Sequence, residues 1–294
     1  MRPVKLHGAV LLAYIALSLS SASTGVMLLP RSAIVVGDHE RLGVALRHAI
    51  EGVARAAQRA GRRVALAVPG GSVVTTLLPS LQASGITWRH TDLYWCDERA
   101  GPLDGPDSNV ALSRAGWLST DPARGATQYP MPSDAADLAA AATQYAELLH
   151  RQLGTPPVLD GCILGMGPDG HVASLFPGAS GDGASAAAVR VVRNAPKAPP
   201  VRLTLSMECL AVSRLVVVAA FGAEKRHAIH EALTDVTSVL PVAQLLRRSA
   251  RALVLLDPEA ASELAPSRSS GSTRSRDAAA DSPSLLPMTG SDAT

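Results

Sequence analysis

Residues 162–178 read CILGMGPDGHVASLFPG, and two of them, Asp169 and His171, are of the types and spacing that move a proton. Imidazole is the side chain best suited to proton transfer near neutral pH. A carboxylate two residues before it can orient or polarise the ring. The chemistry open to such a pair is general acid–base catalysis, and the same string also suits a structural histidine in a glycine-rich turn. A second stretch, Pro69-Gly70-Gly71-Ser72, offers exposed backbone N–H groups and a hydroxyl ahead of an apolar helix. That arrangement cradles a phosphate or makes a plain strand–helix turn. A third, Asp97-Glu98-Arg99 followed by Ser108-Asn109, sets acids and a cation just after an apolar run. It reads as a site-forming loop or as an ordinary salt-bridged one. Two further cations, Arg202 on an alternating segment and Lys225 at a helix start, would by themselves be solvated.

The elements that must position these residues are apolar runs. Val64 to Val68, Asp92 to Cys96, Leu159 to Leu164 and Leu215 to Ala220 are short and continuously apolar or nearly so, as buried parallel strands are. Ala33 to Val36, Val189 to Val192, Arg202 to Ser206 and Ala252 to Leu256 add further strands. Between them, residues 39–60 repeat Leu42, Leu46, Ala49, Ile50, Val53 and Ala57 at helical spacing behind a capping Asp38. Helices are also expected over Val73 to Leu81, over Ala135 to Leu153, from Ala223 onward, and briefly after Asp257-Pro258. Residues 110–131 read as a mixed connector and 178–186 as a mobile loop. Alternating strands and helices across 31–264 predict an α/β domain with a largely parallel sheet flanked by helices.

Composition narrows the function. The formal net charge of +2 and the lack of a basic run interleaved with aromatics argue against a nucleic-acid partner. Cys96, Cys162 and Cys209 are dispersed and odd in number, which argues against a disulfide framework and against a zinc site and makes buried free thiols the simplest reading. No cofactor is called for.

The string GMGPDGHVASLFPG closely resembles the signature of the 6-phosphogluconolactonases; the related glucosamine-6-phosphate deaminases share the Asp-Gly-His turn but continue with an Asn-Glu-Pro segment, absent here. Three more stretches resemble the family in its order: the Gly-Gly-Ser turn, the Asp-Glu-Arg…Ser-Asn element, and Pro-Pro-x-Arg-x-Thr-Leu with the later Gly-x-x-Lys. The resemblance implies a Rossmann-like fold of the deaminase/isomerase type and hydrolysis of 6-phospho-D-glucono-1,5-lactone, a small-molecule sugar-phosphate lactone. It implies His171 and Asp169 as the catalytic pair, and Gly70, Gly71, Ser72, Arg99, Arg202 and Lys225 as substrate or phosphate contacts. Pro69 and Val73-Val74 depart from the family's hydroxyl-rich cradle, and Ala100-Gly101-Pro102 shifts the loop after Arg99. An amino-sugar-phosphate isomerase or deaminase, or a sugar-phosphate-binding module without catalysis, are the alternatives.

The ends stand apart. Residues 1–30 carry two cations before an uncharged segment and read as a signal peptide, a single anchor, or an over-extended reading frame with Met27 as the start. A membrane partner is expected only if residues 8–30 are an anchor. The expected location is cytoplasmic, with export or organelle targeting through residues 1–26 as the alternative. Residues 265–294 lack periodicity and read as a disordered tail.

Overall fold

The computed structural model describes residues 32–119, 122–178 and 187–264; the expectations for residues 1–30, for most of 178–186 and for 265–294 fall outside these. In chain order the elements are β1 (Ser32–Val36), α1 (His39–Arg59), β2 (Val64–Val68), α2 (Ser72–Thr76), β3 (Thr91–Trp95), β4 (Asp97–Arg99) and α3 (Asn109–Ala115). They continue with β5 (Thr127–Tyr129), α4 (Leu138–Leu153), β6 (Gly161–Gly165), β7 (Val189–Val192), β8 (Arg202–Leu205) and α5 (Met207–Ala211). The last are β9 (Val216–Ala220), α6 (Arg226–Thr234), α7 (Pro241–Arg248) and β10 (Ala252–Leu256).

Seven strands form one sheet in the order β1-β10-β9-β6-β2-β3-β5, and every neighbouring pair is parallel. From β2 the chain builds outward through β3 to β5. From β6 it builds the other way, through β9 to β10. The crevice beyond the carboxyl ends of β2 and β6 is therefore the topological switch point, where open α/β sheets bind ligands.

Both faces of this sheet are covered, which is why its strands read as continuous apolar runs. Leu66, Val68, Ile163, Val217 and Leu255 point to the face packed by α1 and α2. Their alternating neighbours Ala65, Ala67, Cys162, Leu164, Val216 and Val218 point to the face packed by α4 to α7. The α1 stripe falls as its spacing requires, and the Asp38 carboxylate caps the helix by accepting from the Arg41 N–H at 2.8 Å.

Five local expectations are corrected. The helix expected over 73–81 stops at Thr76 and resumes as a 3₁₀ turn, Leu78–Ala83, because Pro79 has no N–H to continue the ladder. Asp97–Arg99 is not a loop but a short strand in a second, antiparallel sheet ordered β4-β8-β7. The connector 110–131 contains most of α3 and the edge strand β5. Helix α4 starts at Leu138 because the Asp137 carboxylate accepts from the N–H groups of Ala139 and Ala140 at 2.9 and 3.1 Å. Past β10 there are turns rather than a helix, with the Asp257 carboxylate accepting from Ala260 N–H at 2.7 Å and Gly222 N–H at 2.8 Å.

At the opposite, amino end of the strands, buried Asp160 fastens the three central strands. Its carboxylate accepts from Ala65 N–H at the start of β2 (3.0 Å), from Arg62 (3.1 Å) and from Arg214 just before β9 (3.2 Å). Removing it leaves the Ala65 N–H buried without a partner, a cost of about 1–3 kcal/mol. Asp160→Ala is expected to lower the urea midpoint accordingly. Binding and any chemistry at the switch point should stay unchanged, since it lies about 15 Å away at roughly 3.3 Å per strand residue. An unchanged midpoint would show that the fastening contributes nothing.

Candidate active site

A cavity of about 370 Å³ opens at the switch point, bordered by the turn after β2 (Pro69 to Val73), the turn after β6 (Gly165 to Pro168 with His171), and Asp97, Arg99, Lys197, Arg202, Glu224 and Lys225. Seven of the eight residues singled out in the sequence border it: Gly70, Gly71, Ser72, Arg99, His171, Arg202 and Lys225. The eighth, Asp169, stands behind His171.

The β6 turn is built to present the imidazole. Gly167 N–H donates to His171 O at 3.0 Å, Gly170 N–H to Gly167 O at 3.0 Å, and Val242 N–H at the start of α7 to Gly170 O at 3.0 Å. The ring lies directly over Gly167, where an added Cβ would come within 2.1 Å of Nδ1 and Cε1, so no side chain fits there. On its other side Phe176 packs at 4.6 Å between ring centroids. His171 Nδ1–H donates to Asp169 Oδ1 at 2.5 Å, which leaves Nε2 as the ring's unpaired basic nitrogen. Burial lowers the imidazole below its ordinary pKa, although the Asp169 hydrogen bond and charge pull it up. Burial raises the Asp169 carboxyl, but the hydrogen bond and charge of His171 outweigh it and hold the acid below its ordinary value. The result at neutral pH is a neutral imidazole held by an ionised carboxylate.

The turn after β2 is held from beneath. Gly70 sits against the buried Asn109, where a Cβ would lie 1.8 Å from Oδ1. Gly71, with φ of 67°, is the residue that enters α2, so the helix is capped by no side chain and the exposed Ser72 hydroxyl makes no hydrogen bond among the described residues. Asn109 Nδ2–H donates to the Asp97 carbonyl at 2.9 Å and to Asp97 Oδ1 at 3.1 Å. Asp97 Oδ2 accepts from Ser174 Oγ–H at 2.6 Å. Beside it Glu98 is fully buried and accepts from the N–H groups of Arg99, Asn109 and Val110 and from Ser108 Oγ–H, all within 2.7–3.0 Å. Burial raises the Glu98 carboxyl more than these four donors lower it.

The cations differ in environment. Arg99 Nη1–H donates to Asp107 O at 2.9 Å, and its buried Nε–H has no partner among the described residues. Arg202, its cross-strand partner, is only 4% exposed rather than a water-facing edge cation. Its Nε–H and Nη2–H donate to the carbonyls of Pro199 (3.0 Å) and Lys197 (2.8 Å), Nη1–H to Ser174 Oγ (3.4 Å), and the guanidinium stands over the Phe176 ring at 5.6 Å. Lys225 lies in a 3₁₀ turn after β9, its side chain 14% exposed, with Glu224 Oε1 at 4.0 Å from Nζ. Burial lowers its ammonium below the ordinary lysine value, with Glu224 and Asp257 opposing. Ser174 and Lys197 were not singled out in the sequence as site residues, and Asp97 and Asn109 were named only as members of a site-forming loop. The one available signal was their position within the motif segments.

Among the described residues no helix is long and apolar enough to cross a membrane. The family profile described as "Glucosamine-6-phosphate isomerases/6-phosphogluconolactonase" matches residues 37–254. A 6-phosphogluconolactonase of Streptomyces coelicolor is 34% identical over 207 residues, covering 66% of this chain and 78% of that protein. One of Rattus norvegicus is 33% identical over 235 residues, covering 77% and 91%. Among solved structures, the 6-phosphogluconolactonase of Trypanosoma brucei superposes with a TM-score of 0.66 at 29% identity, covering 80% of this chain and 99% of that one. With the parallel sheet, the switch-point cavity and the Asp169–His171 pair all in place, the chain belongs to the glucosamine-6-phosphate isomerase/6-phosphogluconolactonase family.

Proposed function

We propose that this protein hydrolyses 6-phospho-D-glucono-1,5-lactone to 6-phospho-D-gluconate, the lactone-opening step of the oxidative pentose phosphate pathway, with His171 as the proton-transferring group. The observation that carries the reading is the single cavity that faces a neutral, carboxylate-held imidazole on one wall and an anion-binding set, the Gly70-Gly71-Ser72 turn with Lys225, on the adjoining walls. A δ-lactone is an activated ester, so the chemical demand is modest. His171 Nε2 removes a proton from water as its oxygen bonds to the lactone carbonyl carbon. The carbonyl becomes an oxyanion, stabilised by Arg99 or by backbone N–H groups of the turns. When the oxyanion collapses, the bond from that carbon to the ring oxygen breaks and the imidazolium returns its proton to the departing alkoxide. Asp169 favours the transient imidazolium and fixes which ring nitrogen is free. The phosphate, remote from the reacting carbon, anchors the lactone so that its carbonyl meets His171. Three unpaired thiols suit a reducing, cytoplasmic setting.

His171→Ala is expected to keep the parental melting temperature and to lose about 10²- to 10⁴-fold in kcat on freshly prepared lactone, after subtraction of spontaneous opening. Parental turnover in the variant would remove His171 from the mechanism. Assays with fresh lactone and with amino-sugar phosphates, run in parallel, separate lactonase from isomerase or deaminase activity.

The electrostatics of the pair give a second expectation. In the free enzyme the His171 ring, followed by NMR, should titrate with a midpoint below the ordinary 6.5 or so. Both contributions of Asp169 favour the protonated ring. Asp169→Asn should therefore move the midpoint lower still, and a higher midpoint would contradict the assigned coupling.

Lys225→Ala is expected to raise KM with little change in kcat, because the phosphate is held equally in ground and transition states. The loss in kcat/KM should be about one to two decades, as for a charge-assisted hydrogen bond of roughly 1.5–3 kcal/mol. An equal loss on a lactone lacking the phosphate would assign Lys225 to the chemical step or the fold.

A further inference from the structure

The cations bordering the cavity are unequally free to meet a ligand. Lys225 already has a carboxylate 4.0 Å away in Glu224, which itself borders the cavity and opposes an incoming anion. Arg202 is buried and spends its donors on two loop carbonyls and Ser174. Lys197 borders the same cavity from the loop between β7 and β8, is exposed, and has no hydrogen bond or ion pair on its ammonium among the described residues. Its main chain, in contrast, is fixed: Arg202 Nη2–H holds the Lys197 carbonyl and Nε–H holds that of Pro199, while Ala195 N–H donates to Pro200 O at 2.9 Å. A planar guanidinium grips the two carbonyls from separate nitrogens in a fixed fork, a geometry that the point-like ammonium of a lysine does not reproduce. The loop is thus rigid at the backbone and open at the one side chain that faces the cavity.

Charge balance then decides what that side chain is for. A sugar phosphate brings close to two negative charges at neutral pH. With Arg99 assigned to the oxyanion and Arg202 spent on carbonyls, Lys225, partly offset by Glu224, leaves that dianion under-compensated.

We propose that Lys197 is a substrate-binding residue of this site, its ammonium pairing with the phosphate dianion across the cavity from Lys225, and that buried Arg202 is the positioning residue that holds the Lys197 backbone in place. The proposal rests on the lactonase reading of the same cavity. Lys197 also bears on the proton-transferring group, since its charge contributes to lowering both His171 and Lys225. Pairing with phosphate cancels that charge, so a bound phosphorylated ligand makes the imidazole a stronger base.

The test uses the full chain and three probes: fresh phosphorylated lactone, glucono-1,5-lactone without phosphate, and inorganic phosphate, whose Kd is measured by calorimetry. Lys197→Ala is expected to raise KM for the phosphorylated lactone about ten- to a hundredfold, the size of one charge-assisted contact. The Kd for inorganic phosphate should rise similarly, with kcat, and turnover of the unphosphorylated lactone, within about threefold of the parent. Lys197→Arg should restore most of the loss. Arg202→Lys should raise KM in the parental background but add little to Lys197→Ala, because its effect passes through Lys197. Parental KM and phosphate Kd in Lys197→Ala overturn the proposal, as does an equal loss on both lactones. Should the parent itself fail to open the phosphorylated lactone, the assigned reaction falls. The phosphate Kd of Lys197→Ala then decides the anion contact alone, an unchanged value overturning it.

Discussion

Two carboxylates buried side by side, Asp97 and Glu98, hold this site together. They fall where the chain leaves the parallel sheet after β3 and enters the antiparallel one as β4. Burying a carboxylate is costly unless hydrogen bonds replace its water. Here each oxygen is served: Glu98 by three backbone N–H groups and a serine hydroxyl, Asp97 by Asn109 and Ser174. Satisfying the two acids forces Asn109 beneath the Gly70 turn, fixes the first turn of α3, and brings Ser174 of the segment after β6 against β8. From Ser174 the connection runs to Arg202 and through it to the 194–200 loop. Segments far apart in the chain, around Asp97, Ser174 and Arg202, are thereby joined through one hydrogen-bonded set, and the Glu224–Lys225 wall stands outside it.

The fold divides labour along the strand axis. The amino ends of β2, β6 and β9 are fastened by Asp160 and its arginines, away from any ligand. The carboxyl ends carry turns whose glycines admit close approach, His171 over Gly167 and Asn109 under Gly70. Few aromatics serve the core, and they pair: Trp88 meets Trp117 edge-on at 5.5 Å, and Tyr94 stacks on Tyr129 at 5.0 Å.

Much of this was legible in the sequence, for reasons particular elements make clear. Strands β2, β6 and β9 were readable because both sheet faces are covered and their runs are unbroken. Helix α1 was readable because its stripe and its Asp38 cap agree. The contact between Asp169 and His171 was readable because the two residues lie two apart in one turn. What was not legible depends on contacts between distant segments. Strand β4 has three residues and exists only by pairing with β8, about a hundred positions later. The burial of Arg202 depends on a loop that folds back over it. Lys197 resembles any exposed lysine until its backbone is seen to be gripped. The break in the second helix was signalled by Pro79 and was missed because the apolar pattern continues past it.

The three thiols have a consequence of another kind. Cys96, Cys162 and Cys209 all lie in the core on one face of the sheet, and Cys96 Sγ sits 3.6 Å from Cys162 Sγ and 3.2 Å from Ile163 O. Burial pushes Cys209 up to about 12 and Cys96 well above the ordinary thiol value. All three are buried, so alkylating reagents do not reach them in the folded chain. Modification must therefore wait for the sheet to open, and its rate becomes a built-in gauge of how often the core comes apart, readable without any added probe.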